Sequence, residues 1–497
     1  MLTHLSALKD SELIYERGIY PQSTYIFKHA LTQEVAYGSL LLKRRKDIHE
    51  QIGTAIEALY PNRLEEHYEL LAYHYAKSAN AEKSFLYLDM ANQKMAQLNA
   101  MEEAKAYFDE AMAFLDILPD NMENRRKRVS LLVNQGEVFL LLFRTPEYYD
   151  LLTSFEPMAR GLGNQALLGA FYSRLGICGW SSGQFDRGIK TLTEAAELCK
   201  AAENIKDAEF AYTWLEMNHL FRGHYDRVLF VKEELLRTMK QRFDPHCYVR
   251  GLHGAARACI CLGRWNQAVE EAQRALKVAE ESTENSLIAF AVWTLSMAYT
   301  WKGDPGRGAE YGELALHKAS TPADKAWAYR GLGWALCRTG EVNRGIELLR
   351  AALKIVIASG HMPSKIPTAC ILGAAYWMAG KDDKARRTLE ESLGIANQCG
   401  ARYYSGWAQR LLGEIALKAN PDQATIHFEQ SIAVFGEIKA ENELALACAG
   451  YGRLQLQQNQ FAQGREYLTK ALEIFERLGT LIEPDRLREI LAKLPEA

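Results

Sequence analysis

A short pattern of small and large residues returns about every 40 residues through most of this 497-residue chain. Each copy has a small residue, usually a large apolar residue four positions later, and another small residue three further on. The spacings between successive copies are 40, 40, 40, 37, 40, 39 and 40 residues. A fixed period of this length is typical of stacked helical hairpins, because each unit buries its apolar face only against its neighbours. The copies begin at Gly188, Val228, Ala268, Gly308, Gly345, Ala385, Ala424 and Gly464.

The unit around Leu175 shows how this pattern predicts two helices. Leu175 and Gly176 fall in a first helix, and Gly183 turns the chain. Gly188 and Leu192 then fall on one face of a second helix, where the small residue lets the two helices approach closely. A turn residue precedes each second helix: Gly183, Gly223, Gly263, Gly303, Gly340, Gly380 and Asn459, with Asn420 taking that role in the seventh unit.

The Leu-Gly pair, the turn glycine and the string Ala-x3-apolar-x2-Ala resemble the tetratricopeptide repeat. This resemblance implies an all-α, right-handed superhelical solenoid over residues 121–483, with residues 484–497 as a C-terminal cap. The usual period of that family is about 34 residues, so longer helices or longer connections have to absorb the surplus. The second unit departs from the pattern, since it has Glu216 in place of the glycine and Lys232 in place of the large apolar residue.

The segment 11–60 does not follow the period and contains the motif FKHALTQEVAY at residues 27–37. It resembles the segment that follows the ATPase core in bacterial signalling proteins of the STAND class, especially those fused to class III adenylate or guanylate cyclases. The resemblance implies that residues 1–62 are the remnant of a winged-helix-like coupling module, followed by a helical connector at 63–120. It leaves open whether His29 senses a nucleotide or is a structural histidine on an amphipathic helix.

The sequence lacks the motifs of the common catalytic sites. No GxxxxGK[ST] loop, HExxH pair or GxSxG elbow occurs in it, so we expect no enzymatic activity from this chain. Its nine cysteines form no CxxC or Cys/His zinc spacing, and we expect no cofactor and no metal. A net charge of −3 argues against nucleic acid. The N-terminus carries no signal-peptide pattern and no stretch is long enough to span a membrane, so we predict a cytoplasmic protein.

Recognition is expected on the inner, concave face that the first helices of a tetratricopeptide array form. Seven of the nine tryptophans occupy inner-facing positions, and several arginines join them. Tryptophan and arginine suit an acidic or aromatic-bearing peptide, because they stack and bind carboxylates in bidentate fashion. Two alternatives stay open: the aromatics pack between successive first helices, or the arginines form a solvated basic face. The candidate partner-binding residues are Trp180, Arg250, His253, Arg257, Trp293, Trp301, Trp327, Arg330, Trp334, Arg338, Trp377, Trp407, Arg410 and Arg453.

The sequence therefore predicts a protein- or peptide-binding arm of a bacterial signal-transduction protein, with an ATPase or cyclase module as a possible further partner. The alternative is the C-terminal regulatory part of a nucleotide cyclase or ATPase whose catalytic domains lie on another segment. A purely structural or oligomerisation arm is a third hypothesis. We also expect residues 11–60 to be the least stable part, because a coupling module without its neighbour exposes apolar surface.

Overall fold

The computed structural model describes residues 2–18, 24–417 and 419–494, and nearly all of them are helical. The predicted all-α helical repeat solenoid is confirmed. The chain separates into two compact units, which are described individually below. The first consists of Met1–Leu98 with Glu103–Asn124, and the second of Asn99–Glu102 with Arg125–Ala497.

The first unit combines a small antiparallel hairpin, in which Ile14 lies opposite Phe27, with several helices. The helix that carries most of the motif at residues 27–37 buries none of its residues, and Leu31 and Val35 are 70% and 65% exposed. In chain order the N-terminal elements are α1 (Leu2–Asp10), β1 (Ile14–Arg17), β2 (Thr24–Phe27), α2 (Ala30–Gly38), α3 (Leu42–Leu59), a 3-10 turn (Leu64–His67), α4 (Tyr68–Ala76), α5 (Ala81–Gln97) and α6 (Met101–Ile117).

Paired helices make up the rest of the chain. From α10 to α25, even-numbered helices are the first helices of the repeat units and odd-numbered helices are the second. They are α7 (Met122–Val133), α8 (Gly136–Leu141), α9 (Thr145–Gly161), α10 (Gln165–Ser181), α11 (Phe185–Ala201), α12 (Ile205–Arg222), α13 (Tyr225–Thr238), α14 (Pro245–Cys261), α15 (Trp265–Ser282), α16 (Asn285–Lys302), α17 (Pro305–Lys318), α18 (Pro322–Thr339), α19 (Val342–Ser359), α20 (Met362–Met378), α21 (Asp382–Cys399), α22 (Arg402–Ala416), α23 (Pro421–Glu437), α24 (Glu441–Gln457), α25 (Phe461–Leu478) and α26 (Glu483–Ala492).

Long helices, rather than long connections, account for the 40-residue period. Helices α10 and α11 each have 17 residues, and the turns 182–184 and 202–204 that follow them are short. The same period appears in the helix caps. The side chains of Asn164, Asn204 and Asp244 each accept a hydrogen bond from the backbone N–H three residues later, at the start of α10, α12 and α14. These caps satisfy backbone donors that the first helical turn leaves free.

The predicted turn residues occupy the left-handed backbone region. All seven of Gly183, Gly223, Gly263, Gly303, Gly340, Gly380 and Asn459 have a positive φ, a conformation in which a Cβ is disfavoured. The prediction for Asn420 was wrong. This residue is extended, with φ −150°, and its side chain caps α23 by accepting from the backbone N–H of Gln423.

First and second helices are buried differently. Every residue of α10 from Gly169 to Ser181 is buried, whereas α11 buries only a stripe at i, i+3 or i+4 spacing and leaves its other face in solvent. Gly373 shows how closely the paired helices approach, since a Cβ there would lie 2.6 Å from Leu389. The first helices are therefore internal to the repeat unit, and the second helices form its surface.

The second repeat unit replaces this glycine–leucine contact with charged residues. Glu216 and Lys232 are both buried. Burial raises the pKa of Glu216 well above its ordinary value, and the positive charge of Lys232 acts in the opposite direction. Lys232 Nζ also lies 2.8 Å from Glu233 and 3.2 Å from Glu271. Both carboxylate oxygens of Glu216 are buried without a hydrogen-bond partner among the described residues, so Lys232 acts on Glu216 through its charge and not through an ion pair.

The unit before α10 differs from its predicted form. Gln135–Gly136 lies 40 residues before Leu175–Gly176 and so takes the place of the Leu-Gly pair within a first helix. The chain nevertheless turns at residues 134–135 and divides that helix into α7 and α8.

Helices one superhelical turn apart contact each other within the second unit. First helix α10 contacts α20, α12 contacts α22, and α14 contacts α24. Arg222 donates a hydrogen bond to the carbonyl of Gly400 at 3.0 Å, and Lys439 lies 3.1 Å from Asp226. Five units therefore complete one turn, and the inner face is closed in part by the chain's own next turn.

Candidate functional site

The fourteen candidate residues lie around two cavities of the second unit, seven in each. We call them cavity A, with a free volume of about 30 Å³, and cavity B, with about 390 Å³. Cavity A contains Trp180, Arg250, His253, Arg257, Trp293, Trp327 and Arg330. Cavity B contains Trp301, Trp334, Arg338, Trp377, Trp407, Arg410 and Arg453.

Aromatic rings of successive first helices form the wall of cavity A. Trp293 on α16 and Trp327 on α18 stack at 5.5 Å between ring centroids. Phe290 meets both of them edge-on, and Trp180 on α10 packs against Trp214 on α12 at 4.8 Å. The four tryptophan rings are almost fully buried, so they join neighbouring repeats as well as enclosing the cavity.

Three arginines enter cavity A, and their partners differ. Arg250 forms an ion pair with Glu137 of α8. Arg257 donates a hydrogen bond to the Tyr404 hydroxyl at 2.8 Å, a contact between successive turns of the solenoid. Arg330 lies over the ring of Trp293 at 4.8 Å, and its nearest hydrogen-bond acceptor is the Ser364 carbonyl at 3.5 Å. Only the first of these three guanidinium groups has a carboxylate partner in the described part of the chain.

Burial without a carboxylate partner changes the pKa of Arg330. Its side chain is 4% exposed, and burial, reinforced by the positive charge of Arg257, lowers its pKa to about 9. The group remains a cation at neutral pH. A buried cation without a counter-charge costs free energy, because water solvation is lost and no ion pair replaces it.

Two histidines beside cavity A are buried in their neutral form. His253 Nδ1 lies 2.7 Å from Thr294 Oγ1. His361, which precedes α20, is fully buried and packs against the rings of Phe143 and Trp180. Burial and the charge of Arg330 lower the pKa of His361 to about 3.

Three tryptophans form one wall of cavity B. Trp301, Trp334 and Trp407 lie in a triangle with centroid distances of 5.8, 6.1 and 5.8 Å. Trp377 lines the same cavity and is half-buried. Residues of the C-terminal helix α26 complete the wall opposite, among them Arg486 and Leu487.

Two half-buried arginines of cavity B have carboxylate partners. Arg410 lies 3.4 Å from Glu443, and Arg453 forms an ion pair with Glu414. Arg338 is different, because its side chain is exposed and its guanidinium lies 5.9 Å from the ring of Trp334. It has no carboxylate partner among the residues described, whereas Arg486, which also lines the cavity, pairs with Glu483.

Four residues around cavity A were not among the predicted site residues. Trp214, Phe290 and Tyr404 also lie on first helices, so the inner-face positions of their repeats carried a signal that the tryptophan and arginine pattern did not include. Glu137 was not found, because it belongs to the irregular helix α8 before the regular repeats.

We also searched the described residues for metal ligands, disulfides and membrane-spanning helices. No group of three or more metal-binding side chains occurs among them, and their cysteines are free thiols. No helix that the structure describes has the length and apolar character needed to cross a bilayer.

Comparison with known proteins supports the repeat assignment. A tetratricopeptide repeat model matches residues 324–398. This stretch spans α18 to α21 and includes two of the regular units, so the chain contains a tetratricopeptide repeat region. None of the curated proteins matches this chain significantly.

Solved structures share the fold at low sequence identity. A Rap protein complexed with competence and sporulation factor matches with a TM-score of 0.56 and 16% identity, over 72% of this chain and 99% of that one. The Cut9 and Hcn1 hetero-tetramer of the APC/C matches with a TM-score of 0.53 and 11% identity, over 93% of this chain and 87% of that one. At these identities the likeness shows the fold alone.

Proposed function

We propose that this protein is a non-enzymatic recognition arm that binds an acidic or aromatic-bearing peptide or protein segment on its inner tryptophan and arginine surface. Cavity B is the entry point of this surface. Its volume of about 390 Å³ falls within the range of ordinary ligand sites. Cavity A is too small for a peptide side chain of aromatic size.

The observation that carries the proposal is the combination in cavity B of a three-tryptophan wall with Arg338, an exposed residue whose guanidinium has no carboxylate partner in the part of the chain that the structure describes. Tryptophan supplies apolar area together with an indole N–H donor, and arginine binds a carboxylate through two parallel hydrogen bonds. Arg410 and Arg453 already pair with Glu443 and Glu414, so they shape the cavity while Arg338 remains available to a ligand.

The Rap structure supports the choice of a peptide- or protein-sized ligand. That protein has the same fold and was solved in complex with competence and sporulation factor. Helical repeat arrays in general use their inner surface for extended partners. The proposal for this chain rests on its own cavity, because the identity between the two proteins is only 16%.

The test is a binding screen with fluorescein-labelled peptides on the purified chain. The set contains acidic, aromatic, mixed and basic sequences of equal length. We expect acidic–aromatic peptides to bind, and Arg338→Glu to weaken this binding by about tenfold or more, since a charge-assisted contact becomes a repulsion.

Lys354→Glu is the matched control for that screen. It makes the same change of charge on the exposed face of the second helix α19, and binding should be unaffected. Equal binding by wild type and Arg338→Glu, or no preference for acidic and aromatic peptides, would refute recognition through cavity B.

A second function is favoured by the N-terminal motif. Helix α2 exposes Leu31 and Val35, and this suits a segment that couples the arm to an ATPase or cyclase module. In that case the chain is the regulatory C-terminal part of a larger signalling enzyme. An immunoblot of source-cell lysate with an antibody against the repeats separates the two. A band near 56.2 kDa favours a free arm, and a much heavier band favours the larger enzyme.

A further inference from the structure

Cavity A contains two buried or half-buried cations without a counter-ion. Among residues 2–18, 24–417 and 419–494, no carboxylate lies within ion-pair distance of Arg257 or Arg330. The two guanidinium groups also repel each other. This repulsion is one of the influences that lower the pKa of Arg330. Elsewhere in the second unit, buried arginines have partners, as with Arg174 and Asp207. Among the buried arginines of the described residues, Arg330 alone lacks a carboxylate partner.

Two residues that line cavity A also have hydrogen-bond donors without acceptors. The indole N–H groups of Trp180 and Trp293 are buried and have no partner in the structure. Arg330 uses one of its five N–H groups, in a long contact to Ser364. Tryptophan and arginine only donate. The cavity therefore offers an excess of donors and of positive charge, and this is the environment that an anion requires.

The size of the cavity limits the anion. Its free volume of about 30 Å³ corresponds to about two water-sized groups, at roughly 10–15 Å³ each. A carboxylate presents two oxygen atoms, and these match the paired N–H groups of one guanidinium.

We propose that cavity A binds a single carboxylate group, held by Arg330 and Arg257. The stacked rings of Trp293 and Trp327 wall the site and exclude water, and this strengthens the charge interaction. Arg257 also bonds Tyr404 on the next superhelical turn, so the bound carboxylate stabilises the closed arrangement of the two turns. The carboxylate belongs either to a small free acid or to an acidic side chain of a bound peptide. This site is separate from cavity B, and either assignment can fail alone.

Thermal unfolding of the full chain tests the proposal. The protein is placed in a buffer whose only anions are bulky sulfonates, and sodium acetate is then added at constant ionic strength. A ligand that binds only the folded state raises its stability in proportion to occupancy. We expect the unfolding midpoint to rise by several degrees and to saturate with acetate.

Arg330→Met is the decisive variant. It removes the buried charge while keeping a long apolar side chain of similar length. In the sulfonate buffer we expect its midpoint to equal or exceed that of wild type, and acetate should have no effect on it. If Arg330 had only a packing role, the variant would lower the midpoint equally with and without acetate, and that result would overturn the proposal.

Arg350→Met is the matched control, an exposed arginine on the second helix α19. It lines neither cavity, so the response to acetate should equal that of wild type. Arg330→Lys and Arg257→Met provide further variants in case Arg330→Met does not fold. Both should weaken acetate binding by about tenfold, because each removes charge-assisted hydrogen bonds.

Two further titrations identify the source of the carboxylate. If acetate saturates the site and a capped glutamate-containing hexapeptide binds no more tightly, the ligand is a small free acid. Stabilisation by the hexapeptide at concentrations where acetate has no effect assigns a peptide side chain. Stabilisation by chloride alone, or by none of these anions, would overturn the carboxylate site.

Discussion

Cavities A and B are built from the same residue types on equivalent helices. Among the described residues, most arginines of cavity A lack a carboxylate partner, whereas most arginines of cavity B have one. In cavity B, Arg410 lies against Glu443 and Arg453 against Glu414. In cavity A, Arg330 has only a carbonyl at 3.5 Å and an aromatic face. The wall of each cavity is a set of tryptophans packed between repeats.

The difference shows that a tryptophan and arginine pattern alone does not identify a ligand site. Where an acidic residue of a neighbouring first helix reaches the arginine, the pair stabilises the solenoid itself. Where none does, the buried charge needs an external partner, because desolvation without pairing is costly. A buried arginine without a carboxylate partner therefore indicates a ligand site, whereas the number of arginines in a cavity does not.

The largest contrast between the cavities is expected from removing a paired arginine. Arg410→Met leaves the carboxylate of Glu443 buried without its cation. We expect a loss of about 3–5 kcal/mol in the free energy of unfolding, because breaking a buried pair leaves an uncompensated charge. Chemical denaturation of the variant measures this loss.

The corresponding change in cavity A, Arg330→Met, should cost nothing in sulfonate buffer. Similar losses for the two variants would contradict the distinction between the cavities. Recovery of stability in the double variant Arg410→Met with Glu443→Gln would show that the lost ion pair is the cause.

A smaller effect concerns the pH dependence of cavity A. The pKa of His361 is about 3 in the folded protein against an ordinary 6.5. The folded state therefore excludes a proton that the unfolded state binds, and its stability is complete above about pH 6.5 and falls as the pH drops towards 3. We expect His361→Leu to reduce the loss of stability between pH 7.5 and 5.5 by about 1.4 kcal/mol.

The measurement is the unfolding free energy of wild type and variant at the two pH values. His317→Leu changes an exposed histidine on α17 and is the control for adding a leucine. An equal pH dependence in wild type and His361→Leu would mean that His361 accepts a proton in the folded state, and so that cavity A admits water.

The smallest effect on stability is expected at the half-buried tryptophan of cavity B. Trp377→Ala should cost about 1 kcal/mol, since its side chain is only partly buried. The same change should lower the affinity for the acidic–aromatic peptide by about tenfold if the ring stacks on the ligand. Fluorescence anisotropy measures the affinity, and Trp377→Phe should retain most of it. Unchanged affinity in Trp377→Ala would remove this residue from the recognition surface.

Local patterns were predicted well because they depend on neighbours in the chain. The turn glycines, such as Gly183, follow from a backbone conformation that few other residues adopt. The same reasoning failed at Asn420, because asparagine suits both a left-handed turn and a helix cap, and the proline that follows it selected the cap. The break between α7 and α8 was missed because the Gln-Gly pair imitates the Leu-Gly pair of the regular units.

The long-range pairings could not be predicted in this way. Arg257 meets Tyr404 at a separation of 147 residues, and Arg250 meets Glu137 at a separation of 113. These contacts depend on how many units complete a superhelical turn. That number follows from small rotations between successive units, and these accumulate from side-chain packing at every interface.

The sequence by itself determined the helical hairpins, their period, their turns and the inward position of the tryptophans and arginines, because a repeat buries its small and apolar residues only against its immediate neighbours. The tertiary structure alone decided that these residues divide into two cavities and that only some arginines find a carboxylate. Charge pairing in a buried site depends on distances of a few ångströms between residues far apart in the chain, and no local pattern encodes them.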